Sequence, residues 1–137
     1  MTVENKVDLL MSSLTIFYQN EEYINEVINI INFKSELSLR VLDWFVTNYS
    51  KKYIIILSSK NGRGFNVYQN YKLQLKSFFK IHLDPFSRKE KLEFEYKPGE
   101  YIETSCGQLC FFRWCLENDI LTYVKKNLVD IEKDMGL

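Results

Sequence analysis

Apolar residues keep helical spacing along most of this chain and switch to strand spacing only in short stretches, which restricts the fold to a helix-rich mixture. Val7, Leu10, Met11 and Leu14, then Tyr23, Val27, Ile28 and Ile31, recur at helix spacing. The pattern predicts two helices within about 3–33, broken near Gln19-Asn20. Ser38 is placed to cap a third helix carrying Leu39, Leu42, Phe45, Val46 and Tyr49 on one face, with Asp43 and Asn48 on the other. Tyr53 to Leu57 is β-branched and apolar, and Asn61-Gly62-Arg63-Gly64 offers the positive-φ residues of a tight turn before Phe65-Asn66-Val67, so a hairpin is expected.

Helix spacing returns from Tyr68 to about Leu83, with Tyr68, Tyr71, Leu75, Phe78, Phe79 and His82 as an apolar stripe and Lys72, Lys76 and Lys80 along one edge. Asp84-Pro85 ends it. Leu92, Phe94 and Tyr96 then alternate with Glu93 and Glu95 as a half-exposed strand does, and Tyr101-Ile102 pairs back across Pro98-Gly99. Ser105 and Gln108 have capping-box spacing at the head of a helix reaching about Glu117, and a last helix with Leu121, Val124, Leu128 and Ile131 follows Asn118-Asp119. The expected fold is α+β: one helix-rich domain over 1–137, its core in about 38–135, with a small antiparallel sheet (53–57, 64–67, 91–96, 101–103) and a C-terminal αα-hairpin.

With 137 residues, 46% of them hydrophobic, the chain suffices for one substantial core and falls short of two. No apolar run approaches the 18 or so residues of a membrane span, and no secretion signal is visible, so no membrane partner is expected. Cys106, Cys110 and Cys115 make a poor disulfide framework, which fits a reducing, intracellular setting.

The formal charge is zero overall but strongly segregated. Residues 51–97 carry +7, residues 1–50 carry −4 and residues 98–137 carry −3. Within the basic third, aromatic rings interleave with cations, a composition suited to phosphates and unpaired bases. Helical spacing equally fits rings turned to the core beside a solvated lysine edge. The residues singled out for nucleic acid or another acidic partner are Arg63, Lys72, Lys76, Lys80, Arg88, Lys89 and Lys91. The last three lie in a turn and strand start, where recognition residues concentrate.

Other chemistry finds little support. A helix-turn-helix reading of the closing helices would put Arg113, Lys125 and Lys126 near DNA, but Asp119, Asp130, Glu132 and Asp134 make that pair acidic. Asn61-Gly62-Arg63-Gly64 lacks the spacing of a phosphate loop. Cys106 and Cys110 share a helix face but have no CxxC partner, and nothing places the single histidine, His82, beside a cysteine as a base. Neither a metal nor a cofactor is expected. Trp44 and Trp114 read as core anchors.

Three stretches, Arg40 to Lys52 (RVLDWFVTNYSKK), Phe65 to Lys91 with its Leu83-Asp84-Pro85-Phe86-Ser87-Arg88, and Gly107 to Trp114 (GQLCFFRW), resemble a family of small uncharacterised proteins of giant DNA viruses, including those infecting amoebae. The likeness spans roughly 38–135. It implies a virus-encoded protein acting in the host cytoplasm, the viral factory or the virion, and it brings no catalytic residues. The expected function is therefore non-enzymatic: a viral accessory or virion-associated protein binding nucleic acid without sequence preference, or another acidic partner, through the 63–91 surface. The alternative is a structural or protein-interaction subunit, as a homodimer or with another viral protein, in which the basic third meets an acidic terminal region.

Overall fold

Short polar side chains set where the helices begin. The computed structural model describes residues 3–58, 62–77 and 91–136, with side chains over 8–58, 62–75 and 91–136. α1 (Val3–Phe17) and α2 (Glu21–Ile31) break at Asn20, whose Oδ1 accepts from the Tyr23 N–H at 3.2 Å. Ser38 Oγ accepts from the Val41 N–H at 3.1 Å and opens α3 (Leu39–Trp44). Each cap satisfies a helix-end donor that has no partner within the helix.

The helix begun at Ser38 does not stay regular. Phe45–Tyr49 forms a π-helical turn, in which the Ser50 N–H reaches back five residues to Phe45 O, before α4 (Ser50–Tyr53) completes it. The wider turn places Ser50, rather than Tyr49, one turn beyond Phe45. Ser50 is buried and donates to Val46 O at 2.9 Å, while Lys51 and Lys52 face solvent. Sequence spacing predicts Tyr49 on the buried face; it is half-buried.

Ile54 ends this helix with φ 52° and ψ 75°. The expected hairpin follows, with β1 (Ile56–Ser58) starting later than the apolar run, because the helix keeps Tyr53. β1 pairs antiparallel with β2 (Gly64–Asn66), Leu57 opposite Phe65. Of the two turn glycines only Gly62 has positive φ, at 80°. Gly64 lies in β2, where an added Cβ would come within 3.2 Å of Ile56 Cγ2.

Asn66 Oδ1 accepts from the Gln69 N–H at 3.0 Å, and β2 passes directly into α5 (Val67–Ser77). Tyr71 is buried on it, while Phe78, Phe79 and His82 of the expected stripe lie outside the described residues. β3 (Lys91–Lys97) and β4 (Glu100–Ser105) form a second antiparallel ribbon, with Phe94 opposite Ile102. The expected single sheet is therefore two separate two-stranded ribbons among the described residues. The physical reason is that each ribbon spends its apolar side elsewhere. The first feeds straight into α5, and the second buries Phe94 against the Tyr18 ring, centroids 6.0 Å apart.

Ser105 Oγ accepts from the Gln108 N–H at 3.1 Å and caps α6 (Cys106–Glu117). Gln108 closes only half a capping box, since its Oε1 accepts from Thr104 Oγ1 at 2.8 Å. The C-terminal hairpin pairs α6 with α7 (Ile120–Lys126) across Asn118-Asp119, and Asn127 breaks off α8 (Leu128–Asp134) from the expected last helix. α6 is the centre of the core, burying Leu109, Phe111, Phe112 and Cys115 completely. Tyr18 OH donates to Leu109 O at 2.6 Å, and the Phe45 and Tyr123 rings, 5.4 Å apart, tie the π turn to α7. Burial of each such ring or leucine contributes roughly 1.5–3 kcal/mol, so α6 is what the other helices are assembled around.

Candidate functional site

The π turn decides which lysines meet. By sending Ser50 inward it presents Lys51 beside α5, where Lys51 Nζ lies 5.6 Å from the centroid of the Tyr68 ring. Lys72, one turn beyond Tyr68 on α5, places its own Nζ 5.5 Å from the same centroid. Two ammonium groups thus share one half-buried ring, and neither is in an ion pair among the described residues. A ring face attracts a cation without cancelling its charge, so both lysines keep their charge available to an anion.

Lys52 is spent differently. Its Nζ contacts Asp134 Oδ1 at 2.7 Å, the Trp44 Nε1–H donates to Oδ2 at 2.9 Å, and the Tyr53 hydroxyl donates to Oδ1 at 3.3 Å. The Asp134 side chain is only 6% exposed. The hydrogen bond from Lys52, then that from Trp44, holds its carboxyl below the ordinary value. This clasp joins the end of α8 to α3 and α4.

The sequence-predicted residues divide. Lys72 joins the Tyr68 pair and Arg63 is exposed ahead of β2. Lys76 is on α5, with its side chain outside the described set. Lys91 opens β3 and pairs with Glu103 at 3.3 Å on the second ribbon. Lys80, Arg88 and Lys89 lie outside the described residues. Lys51 escaped the sequence reading. Its signal was present in the Lys51-Lys52 doublet closing a helix, where cations offset the negative C-terminal end of the dipole.

The chain just after Lys51 and Lys52 exposes large apolar side chains. Tyr53, Ile54 and Ile56 are 52%, 66% and 58% exposed.

The remaining chemistry-bearing residues are held inside or tied down. Cys106, Cys110 and Cys115 are buried and are not joined in disulfides. A hydrogen bond with Cys106 and burial push the Cys110 thiol well above its ordinary range, and burial alone does so for Cys115. Among the described residues no group of three or more His, Cys, Asp or Glu is arranged to hold a metal ion, and no helix is long and apolar enough to cross a membrane. Arg113 is occupied by Ser13 Oγ at 2.8 Å, by Glu117 at 3.2 Å and by the Phe17 ring at 4.9 Å, and Lys125 pairs with Glu26. These contacts turn Arg113 and Lys125 toward α1, α2 and α6 itself.

The features define a class: a helix-rich α+β domain with a basic, aromatic-backed patch at the end of a π-kinked helix. The chain belongs to DUF7197, a family of unknown function, which it matches over residues 2–136. It is 40% identical over 138 residues to the uncharacterised protein L507 of Acanthamoeba polyphaga mimivirus, an alignment covering 95% of this chain and 53% of that relative. The chain thus spans about half the length of the curated relative it matches. No solved structure matches it. Membership of an uncharacterised giant-virus family agrees with the resemblance carried by RVLDWFVTNYSKK and GQLCFFRW.

Proposed function

We propose that this chain is a non-enzymatic viral accessory or virion-associated protein that engages a polyanion, nucleic acid or an acidic protein, through a basic surface centred on Lys51, Tyr68 and Lys72. The sequence-predicted Arg63, Lys76, Lys80, Arg88, Lys89 and Lys91 remain further candidate cations of this proposal, and the host cytoplasm, viral factory or virion is its setting. The observation that carries the reading is the shared ring: two ammonium groups from separate helices lie on Tyr68, and neither is in an ion pair among the described residues. Phosphate or carboxylate contacts made this way are independent of sequence.

The test is a binding titration against single-stranded and duplex oligonucleotides and polyglutamate at about 50 mM and about 200 mM salt. Affinity for at least one of them should fall at least tenfold between the two, and Lys51→Glu with Lys72→Glu should abolish it. Binding that ignores salt, or none at all, removes the proposal.

A second reading, an interaction subunit that forms a homodimer, draws on the exposed Tyr53, Ile54 and Ile56. It predicts sedimentation that depends on protein concentration and is indifferent to added oligonucleotide.

A further inference from the structure

Ile54 stands where a helix ends in the left-handed region, the position that glycine fills at least cost. A β-branched side chain there is a true outlier, because the left-handed conformation crowds its Cβ against the following carbonyl oxygen. Among the described residues Gly62, Gly99 and Gly136 have φ of 80°, 78° and 84°, and Phe33 and Asp119 have φ of 59° and 55°, but none of these is β-branched as Ile54 is. Strain is tolerable when burial offsets it, yet Ile54 is 66% exposed. Neither backbone preference nor the core accounts for an isoleucine here, and strain of this kind is often found where a surface meets a ligand.

Its neighbours along the chain are exposed as well. Tyr53 and Ile56 are also more than half exposed, and Gly64, which approaches Ile56 Cγ2, has no side chain to lay over it. Lys51, in the last turn before Ile54, and Lys72, which shares the Tyr68 ring with it, form no ion pair among the described residues. Lys52 does not contribute, being held by Asp134. The combination is aliphatic side chains flanked by two cations. Phosphates would use the cations and leave the isoleucines idle; bases stack on aromatic faces, and both rings here are already engaged, Tyr68 by Lys51 and Lys72 and Tyr53 by Lys52 and Tyr49.

We infer that the ridge Tyr53–Ile54–Ile56 and the Lys51/Lys72 pair form a docking site for an acidic protein segment that alternates carboxylates with apolar side chains. The inference rests on the polyanion reading above and specifies its partner. Carboxylates meet Lys51 and Lys72, and the apolar side chains cover Ile54 and Ile56. Burial of those side chains then offsets the strain that the unbound protein carries at residue 54.

The experiment uses fluorescence anisotropy with four probes: labelled Glu-Leu and Glu-Ser alternating peptides of equal length and charge, an oligothymidylate, and vesicles containing phosphatidylserine. The Glu-Leu peptide should bind about tenfold more tightly than Glu-Ser, the two curves sharing their salt dependence. Ile54→Gly should erase that preference while the thermal midpoint holds or rises, since glycine relieves the backbone. Lys51→Glu with Lys72→Glu should weaken both peptides. Equal affinity for the two peptides, or a preference that survives Ile54→Gly, overturns the docking site but leaves the polyanion surface standing. Tighter binding of oligothymidylate or vesicles, indifferent to Ile54→Gly, reassigns the surface to nucleic acid or membrane. If no probe binds in a salt-dependent way, both readings fall.

Discussion

Cys115 is sealed in α6 with no exposure, and its thiol ionises only far above the ordinary value of 9.0 because a thiolate there would have no water to solvate it. Two consequences follow at this scale. Native protein at about pH 8 should leave all three cysteines unmodified by a thiol reagent over minutes, whereas denatured chain should yield three; rapid labelling of any one in the folded state would show an accessible thiolate. The second concerns pH. A thiol whose native pKa is raised binds its proton more firmly folded than unfolded, so the stabilisation is complete below pH 9 and fades as pH climbs above it. Residue identity and helical spacing are enough to read these cysteines as small buried side chains. Ile54 was not legible in the same way: an apolar β-branched run reads as strand, and only the preceding helix, carried through Tyr53, forces that residue into the left-handed region.

Between elements, the clasp on Asp134 shows what periodicity hides. In the sequence Asp134 is one of several acids that count against DNA reading by the last helices. In the fold it sits 82 residues from Lys52 and 90 from Trp44 along the chain, yet receives both. No local pattern announces a contact of that separation. The π turn is similarly silent, because apolar residues at Leu42, Phe45, Val46 and Tyr49 satisfy an ordinary helix, and the extra residue appears only when Ser50 takes the buried place. Since the native carboxyl is held below the ordinary value of 3.8, its stabilisation is present above that pH and is lost as pH falls through the lower native value. Asp134→Asn should therefore lower the melting temperature at pH 7 while making the remaining stability less sensitive to acid below about pH 4. Parallel acid-denaturation curves for the two proteins would show that the clasp carries no such linkage.

Across the whole molecule, the charge pattern and the core answer to different rules. Sequence patterning is a good guide to the α+β class, the two N-terminal helices, the hairpins and the capped α6, because each rests on a local period or cap. It misassigns the ribbons to one sheet, because strand adjacency depends on where Phe94, Ile102 and Val67 are buried rather than on strand propensity. The same burial argues that the molecule unfolds as one unit. Trp44 lies at the α3–α8 clasp and Trp114, whose Nε1–H donates to Asn70 Oδ1 at 2.8 Å, lies between α5 and α6. They report opposite sides of a core whose common member is α6. Trp44→Phe and Trp114→Phe leave one probe each, and Phe111→Ala, added to both, should cost about 3–5 kcal/mol by emptying a fully buried site. If the core is continuous, each remaining tryptophan should register the full loss, seen as the same drop in urea midpoint with an unchanged slope. A drop seen by Trp114 alone would mean that the Lys51–Tyr68–Lys72 patch bridges two separately unfolding parts, and its geometry would then depend on their docking.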